Sequence, residues 1–580
     1  MNKIEDLRKH MKVHNISAVV IPAADMHLSE YISDRYKLRE YLSGFTGSAG
    51  TLVVTENDAG LWTDGRYYIQ AEKELFGSGI KLYRASEKDC IKIHEYLRKQ
   101  LSSSEQTGLD GRLFSKKYLD EFIAKMGDIR IDTEYDPSQI WKNRPDEPIQ
   151  KAFVLKEKFC GDSVENKIFA VRKKMEEGSF THYLVSAPEC IMWLLNIRGN
   201  DIRHTPVMLS YLLMTKKSVT LYAKREKLTE EVSEYLKSHN IEVADYENIY
   251  TDTAKIDTAS YLAADFSLVN YTLISKATCA KKNIKDFIYN LKCIKSDIEI
   301  ENIKNAYIKE NIALTKSFYE IYHSDSINEC DVADIIEKHR SVIDGYFSPS
   351  FDTIAAFGEN AAMMHYSPSR KACAEIGESG LLLIDTGGQY YEGTTDTTRT
   401  LAIGNITREQ REMLTLVLKG HIQIAGAVFP KGTRCSEIDA LARMPLWKRG
   451  LDYRCSTGHG VGYMMGVHEG PQRLSASCSE VLAENMTVTD EPGVYMEGQY
   501  GIRTENHLCV REYTETGYGK FLCFEVLNFC PIGTDTLAIE LLSRDEINWI
   551  NNYNEKCRKL LIPHLTKEEA QWLTAYTKII

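Results

Sequence analysis

The stretch LLLIDTGGQYYEGTTDTTRTLAIG, Leu381–Gly404, decides how the C-terminal half of the chain is read. It predicts two strands around a glycine-containing turn, with Asp385 closing an apolar run and Asp396 set among threonines. A carboxylate that closes a buried strand needs a partner. The theme returns in MTVTDEPGVYMEGQYGIRTENHLCV, Met486–Val510, where Glu491 follows the strand-like TVT and Glu505 sits in the alternating GIRTEN beyond a glycine turn. Between the two, CSTGHGVGYMMGVHEGP, Cys455–Pro471, sets His459 and His468 nine residues apart in chain too rich in glycine to build a core. Taken singly, each acid also reads as a turn cap or a solvated strand end. Together with His459 the reading changes, because four acids and an imidazole from one domain converge only where something offsets their repulsion.

Two divalent cations would offset it. An oxygen-rich set with one imidazole suits Mn²⁺ best, with Co²⁺, Fe²⁺ and Zn²⁺ as alternatives, far better than it suits a thiolate-loving site. In a two-metal centre the ions lie roughly 3.5–4 Å apart, bridged by carboxylates, with a water or hydroxide between them as nucleophile. Such a centre predicts hydrolysis.

The rest of the sequence sets the frame. A chain of 580 residues exceeds what one hydrophobic core supports, so two to four domains are expected. Hydrophobic residues at 43% and charged residues at 26% are ordinary for α/β or α+β proteins and give no case for disorder. The net charge of -11, without clustered Lys and Arg, disfavours a nucleic-acid partner. No run reaches membrane-spanning length, and the first residues predict a charged amphipathic helix leading into a short strand rather than a signal peptide. Fourteen cysteines with no CxxC pair suit a reducing compartment, so a cytoplasmic location is expected.

An internal repeat organises the N-terminal half. LRKHMKVHNISAVVIPAADMHLSEY from Leu7 and VRKKMEEGSFTHYLVSAPECIMWLL from Val171 share the order amphipathic helix, apolar strand, polar turn, and each is followed by a glycine-containing turn before two short strands. The Pro- and Asp-rich YDPSQIWKNRPDEPIQ, Tyr135–Gln150, predicts a linker between the copies. Helical periodicity from Cys293 onward places a second boundary near Tyr289. The expected division is 1–145, 146–289 and 290–580.

With these residues in view, the chain resembles the pita-bread metallopeptidases, the group of methionine aminopeptidase, prolidase and aminopeptidase P. The resemblance rests on the order Asp385, Asp396, His459, Glu491, Glu505 within TGHGVG, TDEPGVY and GIRTEN. REYLSGFTGSAG, LWTDGRYYIQA, LLNIRGNDI, VHEGPQ and FLCFEVLNFCPI are similar to the long cytosolic form of aminopeptidase P, and the likeness spans nearly the whole chain. It implies two creatinase-like α/β domains before a pita-bread catalytic domain, a peptide substrate with proline second, and a homodimer in which the N-terminal domains narrow access to the site.

Residue by residue, the resemblance implies Asp385 on one metal, Asp396 and Glu505 as bridges, and His459 with Glu491 on the second. Glu491 is also the implied general base. His365, in AAMMHYSP, and His468 match non-ligand histidines that contact substrate and its developing oxyanion. Arg503 would orient a site carboxylate, and Tyr495 stands where a tyrosine lines the proline pocket. A core histidine is the other reading of His365, a loop histidine that of His468, a surface arginine that of Arg503 and a core tyrosine that of Tyr495. One departure stands out: Cys455 occupies a position where the family carries a substrate-contacting histidine, and it reads either as a weaker hydrogen-bonding group in the pocket or as a small packing residue. Three other functions stay open: a prolidase limited to dipeptides, a creatinase-like hydrolase that works without metal, and a pita-bread protein that only binds partners.

Overall fold

The computed structural model describes residues 3–580. Its chain forms two compact units, one built from residues up to Leu155 together with Asp162–Asn290, the other from Lys156–Gly161 and Leu291–Ile580.

The first unit holds two six-stranded sheets of the same topology. Strands Ala18–Pro22, Thr51–Thr55, Ala59–Thr63, Lys81–Arg84, Gln106–Gly108 and Arg130–Asp132 make one sheet; His182–Val185, Tyr211–Thr215, Val219–Tyr222, Glu242–Ala244, Tyr261–Ala264 and Ala280–Asn283 make the other. Numbered along the chain, the strands of both lie in the order four, three, two, one, five, six. In both, one pairs two and two pairs three antiparallel, while the remaining contacts are parallel. The repeat seen in the sequence is therefore a repeat of fold. Strand Ala18–Pro22 reads AVVIP without alternation because both of its faces are covered. Helix Lys3–Val13 turns Ile4, Leu7 and Met11 inward at helical spacing, and Val164–Glu177 does the same in the second copy with Val164, Ile168, Val171 and Met175.

Tyr135–Gln150, expected as a linker, begins as a fixed strap on the first sheet's domain. Asp136 caps the turn Pro137–Ile140 by accepting from Ser138 N–H, Tyr135 is buried with its hydroxyl 2.7 Å from His10 Nδ1, and Trp141 stacks on Tyr41. Asp, Ser and Pro here serve turn chemistry, and the aromatic rings anchor it.

In the second unit a pair of helices followed by strands occurs twice. Helices Asp297–Tyr322 and Glu329–Ser341 precede the sheet of Ile354–Phe357, Gly380–Thr386 and Thr397–Ile403; helices Arg408–Ala425 and Cys435–Trp447, with the short strand Val428–Pro430 between them, precede Thr487–Asp490, Asn506–Thr516 and Gly519–Val526, and all four strands form one sheet. The expected pair of α/β domains followed by a mixed pita-bread domain is thus what the chain builds. Buried Arg340 bridges the first helix pair, donating to Glu310 at 2.5 and 3.0 Å, and reaches Thr386 at 2.9 Å. That last bond ties the helix pair to the residue beside Asp385.

Candidate metal centre

Each predicted acid lies at the end of a strand, where the backbone leaves the sheet and a side chain can turn inward. Asp385 sits in Gly380–Thr386 opposite Thr398. Asp396 lies just before Thr397–Ile403, and its peptide is held at both ends by one group: its N–H donates to the buried Tyr307 hydroxyl at 3.0 Å, which donates to its carbonyl at 3.2 Å. Glu491 follows strand Thr487–Asp490 directly, and Glu505 occupies the turn between Tyr500–Arg503 and Asn506–Thr516. Its backbone is fixed by Thr398 carbonyl at 3.1 Å and by the buried Arg399, which donates to the Glu505 carbonyl at 2.5 Å.

His459 is centred in strand Gly458–Gly460, and the flanking glycines are steric requirements. A Cβ at Gly458 would collide with the Thr489 carbonyl, and one at Gly460 with Gln472 and the Glu469 carbonyl. The ring's Nδ1 lies 2.8 Å from Gly460 carbonyl, so Nδ1 is the N–H and Nε2 the free lone pair of the neutral ring. Nε2 lies 3.4 Å from both Asp396 Oδ2 and Glu491 Oε1.

Asp396, His459 and Glu505 each offer a ligand atom within 4.8 Å of the others. Glu491 joins this trio through His459, and Asp385 flanks it through Arg503, whose guanidinium donates to Asp385 Oδ2 at 2.6 Å and lies 3.9 Å from Glu491 Oε2. Arg503 is buried and also donates to Thr398 Oγ1 at 3.1 Å and Tyr495 hydroxyl at 2.8 Å. It is no surface arginine.

The charge arrangement is costly for protein alone. Burial, with the charges of Asp396, Glu491 and Asp385, raises Glu505 well above the carboxylate range. Burial together with Asp385 and Glu491 pushes Asp396 up to about 6, against the hydrogen bond from His459. Burial disfavours charge on His459, but Asp396 and Glu491 hold its imidazolium and push it up to about 9. Asp385 Oδ1 and Glu505 Oε1 are buried and accept no hydrogen bond. Orphaned buried carboxylate oxygens are expensive unless they face a cation. Oxygen donors in excess, one imidazole and buried carboxylate oxygens that accept no hydrogen bond fit divalent metal ions.

Of the remaining predicted residues, His468 stands with its ring edge-on to His459, 4.3 Å between centroids. Next to it, buried Glu469 pairs with Lys292 at 2.5 Å and with Lys295, which fixes the segment from inside. His365 follows the turn Gly358–Ala362, which packs on strand Tyr500–Arg503 where a Cβ at Gly501 would collide with the Ala361 carbonyl. Cys455 and Tyr495 are half-buried against a cluster that includes Val494 and Ile502, and burial raises the Cys455 thiol to about 11. Sequence reading missed Thr398, whose hydroxyl donates to Glu505 Oε2 at 2.7 Å, Thr489, which donates to Glu491 Oε1 at 3.2 Å, and the supporting Tyr307 and Arg399. The threonine-rich TTDTTRT and TVTD carried the signal for the first two; nothing local marked Tyr307, nearly ninety residues before the peptide it holds.

A pita-bread domain with this buried carboxylate and imidazole cluster defines a metallohydrolase. The model of metallopeptidase family M24 matches residues 301–512, its C-terminal region 520–580, and the creatinase/prolidase N-terminal domain matches twice, at 3–133 and 143–299. A relative from Sordaria macrospora, described as "Probable Xaa-Pro aminopeptidase P", is 36% identical over 99% of this chain and 98% of its own length. The crystal structure of an X-prolyl aminopeptidase from Caenorhabditis elegans, described as a cytosolic enzyme with a di-nuclear active site, superposes with a TM-score of 0.96 at 30% identity, covering 100% of both chains. A prolidase from Pyrococcus horikoshii reaches a TM-score of 0.51 at 26% identity and covers 62% of this chain and 97% of its own. The chain belongs to metallopeptidase family M24, on its aminopeptidase P branch.

Proposed function

We propose that this protein is a dinuclear-metal Xaa-Pro aminopeptidase, which removes the N-terminal residue from peptides with proline second. The observation that carries the reading is the convergence of buried carboxylates on His459, with Asp385 Oδ1 and Glu505 Oε1 left without hydrogen bonds. Asp385 would hold one ion, His459 and Glu491 the other, and Asp396 with Glu505 would bridge them. When bound, such ions supply Lewis-acid polarisation of a carbonyl and lower the pKa of water. Mn²⁺ is the ion we assign, on the hardness of the donor set.

The chain's own groups do the rest. Glu491 would take up a proton from the attacking water as general base. His365 and His468 donate to the substrate and to charge developing on its carbonyl oxygen. Arg503 fixes Asp385 and Tyr495 together, so the Tyr495 hydroxyl and the neighbouring Cys455 thiol form one wall of the substrate site. The acidic set attracts the free amine of a peptide N-terminus. Proline's nitrogen carries no hydrogen, so a site that packs its ring rather than pairing a backbone N–H selects for it. We further assign a homodimer, and a cytoplasmic location on the likeness to a solved structure described as a cytosolic enzyme.

The test is hydrolysis of Arg-Pro-Pro, Arg-Ala-Ala and a bare Xaa-Pro dipeptide, with Mn²⁺ and after chelation. Release of arginine from the first alone, lost on chelation, is expected. Equal cutting of all three would reject proline selectivity, dipeptide-only cutting would make the protein a prolidase, and no cutting with metal bound would make it a binding protein.

A further inference from the structure

Glu329 is completely buried, yet it is the first residue of helix Glu329–Ser341 and plays no part in the metal centre. Every neighbour of its carboxylate is a donor. Phe357 N–H donates to Oε1 at 2.7 Å, Asn360 Nδ2 to Oε1 at 3.0 Å and Oε2 at 3.2 Å, Tyr366 hydroxyl to Oε2 at 2.7 Å, and Ala374 N–H to Oε2 at 2.8 Å. In return, Glu329 N–H donates to Ala374 carbonyl at 3.0 Å. These contacts fall at the start, middle and end of one irregular segment, 357–374, whose tip around Arg370 and Lys371 is exposed. His365 lies inside that segment, next to Tyr366. From the opposite side the segment packs on the Arg503 strand at Gly501.

We propose that Glu329 is a positioning residue for His365: its carboxylate gathers the 357–374 segment into the one conformation that presents the imidazole to substrate. This rests on the assignment of His365 to substrate made above. A carboxylate is the only side chain that suits the place. A carboxamide of the same shape turns an N–H₂ toward donors and leaves at least one of them unsatisfied without opening a cavity. A solely structural anchor would need the same bonds, but its loss would lower activity to the same degree whether or not His365 were present.

That difference is the test. In the Mn²⁺-loaded full-length protein, E329Q is expected to lower kcat/KM for Arg-Pro-Pro by about 100-fold, the scale of a misplacement of about 1 Å. It should leave metal content unchanged and speed tryptic cleavage after Arg370 or Lys371. On a His365→Ala background the same substitution is expected to cost less than about twofold, because groups that act through one another are not additive. Equal losses on both backgrounds would overturn the proposal, as would a normal rate of tryptic cleavage in E329Q. If E329Q does not fold, Tyr366→Phe, which removes one donor and no charge, is read in the same cycle with a smaller loss expected. Unimpaired activity of His365→Ala would remove the role of His365 first, and this proposal with it; a damaged His365→Ala with additive Glu329 effects would remove this proposal alone.

Discussion

Arg503 donates a 2.6 Å hydrogen bond to Asp385 Oδ2 from a position almost fully shielded from solvent. The same guanidinium serves Thr398 and Tyr495, three partners in a fork that an ammonium cannot reproduce. Replacing Arg503 by Met leaves Asp385 as an uncompensated buried carboxylate, and breaking a buried pair in this way costs about 3–5 kcal/mol. Denaturant unfolding of metal-free Arg503→Met should show a loss on that scale, and Arg503→Lys a smaller one with kcat/KM still strongly reduced. Wild-type stability in the Met variant would mean that the pair does not hold Asp385.

Asp396 is the acid whose backbone is tied to Tyr307 and whose side chain meets both His459 and the field of the other carboxylates. Asp396→Ala should abolish hydrolysis and lower the metal content measured by elemental analysis, while the first unit, which holds none of these residues, keeps its own unfolding transition. An active Asp396→Ala protein would contradict the bridging assignment.

Protons compete with metal at this centre. Metal ligands must be neutral imidazole and ionised carboxylate, whereas His459 without metal holds its proton up to about pH 9 and Asp396 up to about pH 6. On the proposed ligand assignment, metal binding would therefore release protons. Affinity should fall as pH drops below about 9 and fall more steeply below about 6. Isothermal titration of metal-free protein with Mn²⁺ in buffers of different ionisation enthalpy reads the proton count directly; a proton count of zero at pH 7 would refute the coupling.

Burial keeps the Cys455 thiol protonated, raised to about 11. Since the thiolate is the reactive form, Cys455 should remain unmodified by stoichiometric iodoacetamide at pH 7, as read by peptide mapping, with activity retained. Alkylation of Cys455 ahead of the other cysteines would show an activated thiol instead.

How much of this was written in the sequence depends on the range of the interaction. The repeat was legible because LRKHMKVHNISAVV and VRKKMEEGSFTHYLV set an amphipathic helix before an apolar strand at matching positions; the order of six strands in each sheet was not. The acids proposed as ligands drew notice because they stand at strand ends or among threonines where a plain fold has no need of charge. In Tyr135–Gln150 the Pro, Asp and Ser residues marked a break between the copies, but not that its start is a capped turn pinned by the stacking of Trp141 on Tyr41. Nothing near Glu329 in the sequence marks its burial, since its four donors come from residues 28 to 45 positions away. Tyr307, Arg399 and the two lysines on Glu469 were hidden for the same reason: the sequence near them holds only half of each bond.

Asp385 and Asp396 come from the first helix–helix–strands repeat of the second unit, and His459, Glu491 and Glu505 from the other. On the proposed ligand assignment, ions held by both sets would act as a clasp between the two repeats. The repeats would then part only by surrendering their cations, and damage to the packing of either one would first be felt as a leaking of metal, well before the chain unravels.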